Sequence, residues 1–299
     1  MEMIEVEAFV AIVRAGSFSG AAHELYLSQP AISRRIDLLE TEIGVRLFDR
    51  IPGGVRLTEA GEAFLPYARQ VLAAARDGTE AARALEREPA GPIALALVGT
   101  LASTRLTERL RLFRERWPAV RLLLKTARSD EVTAMVQRGE ARLGLRYFAG
   151  SQQGLVALPV AKEPLRVVRA AQSRLVSSID GVETLAGVPW IGFSSSTSSS
   201  GEPFALAVER KLTEAGLGDV ERITIDSLTA QKRLIEADFG IGLLPASSVE
   251  EELRLGTLRA LPVAALAMSI PVVAIHRRDG YLSAAARELL ASLVEGGDG

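Results

Sequence analysis

Residues 16–50, GSFSGAAHELYLSQPAISRRIDLLETEIGVRLFDR, constrain this chain more than any other stretch. They read as two helices joined by a tight connection. Ala21, Ala22 and Leu25 give the first helix a small, apolar face. Ser28 is placed to cap the second, its hydroxyl accepting from an unpaired amide in the first turn. Pro30 fits there because first-turn amides have no partner inside the helix. Ile32, Ile36, Leu39 and Ile43 then follow at the spacing of one buried helical stripe. The opposite, N-terminal face carries Ser28, Gln29, Ala31, Ser33, Arg34 and Arg35. Short hydrogen-bonders, a small residue that permits close approach and two guanidinium groups are the chemistry of major-groove readout. Gln pairs with adenine, Arg with guanine, and Ala touches a thymine methyl. A helical hairpin packed inside some other domain is the competing reading, and it gives no reason for a polar set at the start of the second helix.

The run from Phe9 to Leu72 also resembles the winged helix-turn-helix of LysR-type transcriptional regulators. The matching pieces are FVAIVRAGSFSGAA, LSQPAISRRIDLLE, IGVRLFDR and LTEAG, in order and without gaps. The resemblance implies DNA contacts from Ser28, Gln29, Pro30, Ser33, Arg34, Arg35, Arg50 and Arg56. The expected wing, Arg50 to Thr58, reads RIPGGVRLT. Wings in this family often carry a basic tip, whereas Pro52, Gly53 and Gly54 bring no charge here. That leaves Arg50 and Arg56 as the expected phosphate partners of the wing. Residues 1–58 hold six arginines and eight acids, a balance of −2. A nucleic-acid-binding module usually carries a basic excess. Four of the six arginines nevertheless lie between positions 34 and 50, which concentrates positive charge locally.

From Thr58 to Glu88 the sequence is rich in Ala, Glu and Arg, all strong helix formers. Thr58 is suited to cap this helix, with Glu59 and Glu62 at the positive end of its dipole. Phe64, Ala68, Val71, Ala75, Thr79, Ala82 and Leu85 form one stripe in steps of three and four. Such a stripe needs a partner, either the helix's own domain or a second helix. In LysR-type proteins this segment is a linker helix that pairs two subunits. REPAGP (87–92) ends the helix and marks a boundary. The expected domains are a winged helix-turn-helix at 1–58, a linker and dimerisation helix at 59–90, and an effector-binding domain at 91–299.

Residues 91–299 alternate strands and helices. PIALALV, VRLLLKTA, RLGLRYF, WIGF, RITI, IGLLP and MSIPVVAIHRR read as strands, with helical stretches between most of them and a final amphipathic helix at 281–295. The fold class is α/β, and the alternation predicts parallel sheets covered by helices. It also predicts two lobes, one from about 91–162 with 268–299 and one from about 163–267. This half resembles the LysR-type effector domain, which has the two-lobed fold of periplasmic binding proteins. Its best motif is RITIDSLTAQKRLIEADFGIGLLP (222–245), in which Asp238 stands where the family usually has Gly.

Open α/β sheets bind ligands at the carboxyl ends of their strands, where helix N-termini favour anions. Two loops meet that description: Gly99–Thr104, with Thr100, Leu101 and Ser103, and Ser194–Gly201, with Ser194, Ser195, Ser196 and four further hydroxyls. A flexible low-complexity loop gives the same letters as the second. Arg128 and Arg146 lie near strand ends on the same expected rim, as carboxylate partners or as solvated surface arginines. Phe148, Phe204 and Ile191 offer apolar walls or ordinary core packing.

Other chemistries find little support. There is no cysteine, which rules out disulfides, thiol catalysis and cysteine-bound metals. The histidines are His23 and His276, far apart and without a partner at catalytic spacing, and no nucleophile elbow or Walker-type loop is present. Neither an enzyme nor a cofactor is expected. The acidic start, MEMIEVEAFV, lacks the pattern of a secretory signal, and no apolar stretch reaches membrane-spanning length, so a cytoplasmic location is expected. The combined expectation is a homotetrameric LysR-type regulator that binds an interrupted palindrome in double-stranded DNA. Its effector is expected to be a small carboxylate or inorganic anion held between the lobes. The alternative is a cytosolic small-molecule-binding protein whose N-terminal domain only dimerises.

Overall fold

The computed structural model describes residues 1–52, 54–84, 92–102, 104–150, 154–176, 181–195 and 203–295. The chain forms two compact units, Met1–Glu88 with Gln137–Gly139, and Pro89–Val136 with Glu140–Gly299.

The first unit contains α1 (Met3–Ala15), α2 (Phe18–Glu24), α3 (Gln29–Ile43), β1 (Phe48–Ile51), β2 (Gly54–Leu57) and α4 (Glu59–Ala84). Its helix starts follow the sequence signals. Ser17 Oγ accepts from the Gly20 amide at 3.0 Å, Ser28 Oγ from Ala31 at 3.4 Å, and Thr58 Oγ1 from Gly61 at 3.0 Å. Pro30 sits in the first turn of α3, and Gly44 closes that helix at φ +82°, a conformation with a low cost only for glycine. Ile32, Ile36 and Leu39 are buried, whereas Ile43, the fourth residue of the stripe, stays exposed. They pack with Phe9, Ile12 and Leu47. The Phe9 ring lies 5.1 Å from Phe48 and 5.2 Å from Phe64, joining α1, the wing and α4 in one core. A Cβ on Gly61 would lie 2.2 Å from the Leu47 carbonyl, so only glycine lets α4 start this close to the wing. β1 and β2 pair antiparallel, Phe48 opposite Leu57 and Ile51 opposite Gly54, which forms the expected wing.

The α4 stripe is divided. Phe64 and Ala68 pack into the core of their own unit together with Leu72, but Val71, Thr79 and Ala82 are exposed. The first part of the stripe thus packs on its own unit, and the rest stands exposed.

The second unit contains β3 (Pro92–Val98), α5 (Thr104–Arg116), β4 (Arg121–Ala127), α6 (Ser129–Gln137), β5 (Leu143–Tyr147) and β6 (Leu155–Ala170). There follow β7 (Trp190–Gly192), α7 (Pro203–Glu214), β8 (Arg222–Thr224), α8 (Leu228–Glu236), β9 (Gly242–Pro245), α9 (Glu250–Leu255), β10 (Leu258–Leu261), β11 (Ser269–Arg277) and α10 (Ala284–Glu295). The expectation of parallel sheets needs correction. β3 pairs parallel with β4 and β5, and β7 with β8. All pairings of β6 and β11 are antiparallel, so the main sheet is mixed, in the order β10-β6-β11-β5-β3-β4 with β9 also on β6. The reason lies in the path of the chain. It leaves the first lobe along β6 and re-enters at the same end along β11, and a returning strand runs opposite to the one that left.

β6 belongs to both lobes. Leu155–Pro164 pair with β11, while Leu165–Ala170 pair with β9 and β10. Pro164 is the last residue of the first set, and a β-bulge opposite Val272 and Val273 accommodates Pro159. β5 is buried on both faces, as expected for a central strand. The core runs from Leu95, Leu143 and Val273 through Trp190 and Leu243, with α10 contributing Leu289 and Leu293. Among the described residues no helix is long and apolar enough to cross a membrane.

Candidate DNA-binding surface and ligand cleft

In the first unit, burial of Ile32, Ile36 and Leu39 turns the opposite side of α3 outward. Ser28, Gln29, Pro30 and Arg34 are exposed, with Ala31, Ser33 and Arg35 half-buried beside them. Gln29 Nε2 donates to Ser33 Oγ at 2.9 Å, which orients the amide along the helix surface. Arg56 stands on β2, its guanidinium 3.8 Å from Asp49. Arg50 lies on β1; its side chain is outside the described residues.

Besides Asp49, four of the eight acids in residues 1–58 are engaged with partners of their own. Glu5 is buried and accepts from the Glu2 amide, Glu24 pairs with Arg14, and Glu42 pairs with the N-terminal ammonium. Glu40 Oε1 accepts from the amides of Leu47 at 2.6 Å and Phe48 at 3.2 Å, tying α3 to the first wing strand. No acid among the described residues pairs with Arg34 or Arg35. The recognition face is thus locally cationic on a unit whose net charge is not. Sequence reasoning did not find the tether by Glu40, since a glutamate late in a polar helix carries no signal of a backbone partner.

In the second unit, a cavity of about 350 Å³ opens where the carboxyl ends of the strands from the two lobes meet. Val98, Gly99, Thr100, Thr126, Ala127 and Arg128 line it from the ends of β3 and β4. Phe193, Ser194, Phe204, Asp226 and Leu228 line it from β7, β8, α7 and α8. This is the strand-end crevice expected of open α/β sheets, and its volume suits a small molecule. Thr100 is buried and donates from Oγ1 to the Tyr147 hydroxyl oxygen at 2.9 Å. Tyr147, Phe204 and Phe193 form a chain of aromatic contacts at 5.1 and 5.9 Å between ring centres. Arg128 and Asp226 are both exposed at the cavity. Arg128 Nε lies 3.7 Å from Asp130.

The structure brings Thr100, Arg128, Ser194 and Phe204 to this cavity and places Leu101, Ser195, Arg146 and Phe148 elsewhere. Leu101 is in the core of the first lobe. Ser195 lines a separate cavity of about 40 Å³ within the second lobe, beside Gln231 and Arg222. Arg146 is 6% exposed; its guanidinium donates to Thr133 Oγ1 and to the Tyr147 carbonyl. Such a buried, engaged group does not stand on the rim where the sequence reading put it. Phe148, at φ +57°, packs half-buried against the core. Ser103 and Ser196 lie outside the described residues. Thr126, Phe193, Asp226 and Leu228 were missed. Asp226 immediately precedes the Ser227 cap of α8, and a polar pair there reads as capping chemistry alone.

Asp238 takes φ +60° just past α8, the position usually held by Gly. Its carboxylate accepts from Ser173 Oγ at 2.5 Å and from the Arg174 amide at 2.7 Å. Partial burial pushes its pKa upward, but these donors outweigh burial and hold the carboxyl below the ordinary aspartate range.

A winged helix-turn-helix joined to a two-lobed α/β unit with a strand-end cavity defines a DNA-binding regulator with an effector domain. The comparisons carry this to a family. The family of bacterial regulatory helix-turn-helix proteins, lysR family, matches residues 4–62, and the LysR substrate binding domain matches residues 86–298. The chain belongs to the LysR family of transcriptional regulators. Among its relatives, the HTH-type transcriptional regulator YofA of Bacillus subtilis (strain 168) is 30% identical over 99% of both chains. CbbR of Rhodospirillum rubrum is 28% identical over 97% of this chain and 94% of that one. A full-length OxyR from Pseudomonas aeruginosa shares the fold, with a TM-score of 0.76 at 22% identity, covering 100% of this chain and 96% of that one. The full-length regulator CbnR complexed with its target DNA has a TM-score of 0.65 at 26% identity, covering 99% and 98%.

Proposed function

We propose that this regulator binds an interrupted palindromic operator as a dimer of winged helices. The dimer forms through the exposed part of the α4 stripe, and two such dimers associate into a tetramer. Gln29, Ser33 and Arg34 read base edges in the major groove, while Ser28, Pro30, Arg35, Arg50 and Arg56 set the register on the backbone. A small effector with a negatively charged group occupies the cavity between the lobes and changes the geometry of the dimer. The observation that carries this reading is the outward face of α3, on which Arg34 has no acid partner among the described residues. CbnR, solved with its target DNA, supports it by analogy.

A gel-shift with DNA flanking the chain's own gene tests the reading. We expect two protected half-sites one or more helical turns apart and a complex of dimer mass or its multiple. Equal affinity for that DNA and for random DNA of the same length, at the same salt, would refute sequence-specific regulation.

A further inference from the structure

The negatively charged group proposed for the effector answers one side of the cavity only. Arg128 follows β4 on the first lobe. Asp226 follows β8 on the second, and its carboxylate has no hydrogen-bond or ion-pair partner among the described residues. Two opposite charges therefore line the same 350 Å³ space without bridging each other. An inorganic oxyanion or a plain carboxylate drawn to Arg128 would leave Asp226 facing it as a like charge in a narrow, partly apolar cleft. Phe193, Phe204 and Leu228 supply that apolar wall, too large for an inorganic ion to use.

We propose that the effector is a zwitterion with an apolar body, an α-amino acid or short amino-carboxylate whose side chain is aliphatic or aromatic. Its carboxylate meets Arg128, its ammonium meets Asp226, and its side chain lies against Phe193, Phe204 and Leu228. This rests on the cavity being the effector site, as proposed above. The arrangement has a functional consequence. The two charged ends are held by different lobes, so only a molecule with both ends draws the lobes together, and a fragment with one end binds without doing so.

The test uses the full-length protein in thermal-shift and calorimetric titrations. The probes are the proteinogenic amino acids with apolar side chains, the desamino carboxylates isocaproate and hydrocinnamate, the amines isoamylamine and phenethylamine, and sulfate. We expect at least one amino acid to raise the melting temperature and the matching single-ended compounds to bind far more weakly. Asp226→Asn is expected to weaken that amino acid roughly 10- to 100-fold, the loss of one charge-assisted contact, while leaving the desamino carboxylate unweakened. Arg128→Ala is expected to weaken both. Both side chains are exposed, so neither substitution threatens the fold. A carboxylate or sulfate that binds as tightly as any amino acid, sensitive to Arg128→Ala but not to Asp226→Asn, overturns the zwitterion and keeps the cleft. A ligand indifferent to both variants removes the cleft as well. A panel in which no amino acid binds also overturns the proposal.

Discussion

Asp238 sets a backbone preference against two hydrogen bonds, and the magnitudes decide between them. Replacing it with Gly, the usual residue of the family at this position, relieves a left-handed φ of +60°. That relief is about 1 kcal/mol for a residue type that tolerates the conformation. Gly also loses about 0.5–1 kcal/mol more backbone entropy on folding, so the two backbone contributions nearly cancel. What remains is the loss of the bonds from Ser173 and Arg174. Bonds to a charged group are worth about 1.5–3 kcal/mol each when buried, and about 1 kcal/mol each at a half-exposed site such as this. We therefore expect Asp238→Gly to destabilise the second unit by about 2 kcal/mol. For a domain of this size that lowers its melting temperature by roughly 4–8 °C. Asp238→Asn keeps one acceptor and should lose about half as much. The carboxyl pKa is held below its ordinary value, so its stabilisation is complete above the unfolded-state value and is lost as pH falls through the folded one. The gap between wild type and Asp238→Asn should accordingly narrow below about pH 4. Differential scanning calorimetry of the full-length protein reads all three numbers. An Asp238→Gly variant that melts at or above the wild type would show that the strain outweighs the bonds and would refute the reasoning.

Further outcomes follow for the first unit. Arg34→Ala should weaken operator binding by about 1–3 kcal/mol and random DNA much less if the guanidinium grips a base edge; an equal loss in filter-binding titrations on both DNAs reassigns Arg34 to a phosphate. Glu40→Ala removes the acceptor of the Leu47 and Phe48 amides and should cut their hydrogen-exchange protection at least roughly tenfold, whereas unchanged protection would mean that the tether contributes nothing. Val71→Glu places a charge on the exposed part of the α4 stripe and should shift light-scattering mass towards the monomer; an unchanged oligomer would put the interface elsewhere.

What sequence reading recovered and what it missed divide along the range of the interactions involved. Caps at Ser28 and Thr58 and the stripe from Ile32 to Leu39 act within one or two helical turns, so letters a few positions apart contain them. The direction of β6 and β11 depends on where the chain re-enters the first lobe, about a hundred residues after β6 ends. Within LVALPVAKEPLRVVRA the prolines at 159 and 164 suppress the strand signal, although the bulge and the change of partners make room for both. Arg146 was put on the rim because it lies near a strand end, but β5 is covered on both faces and has no outer side there. At the cavity, Thr100 and Ser194 were legible from strand–loop–helix order. Asp226 was not, because only the meeting of two lobes brings an acid beside a cap to the same cavity as Arg128.

The change of partners along β6 also dictates how the lobes can move. Hydrogen bonds to β11 lock the strand's register on one side, and those to β9 and β10 lock it on the other. Sliding one lobe along the strand would break many of these bonds at once, whereas twisting the strand between Pro164 and Leu165 breaks few. Pro164 has no amide hydrogen to lose there. The Leu165 amide is held by the carbonyl of Met268, on the segment where the chain crosses back. The two crossings lie side by side, joined by that hydrogen bond, so a rotation of one lobe against the other would centre on them. A ligand gripping both walls would thus work against a fulcrum made of two neighbouring chain crossings.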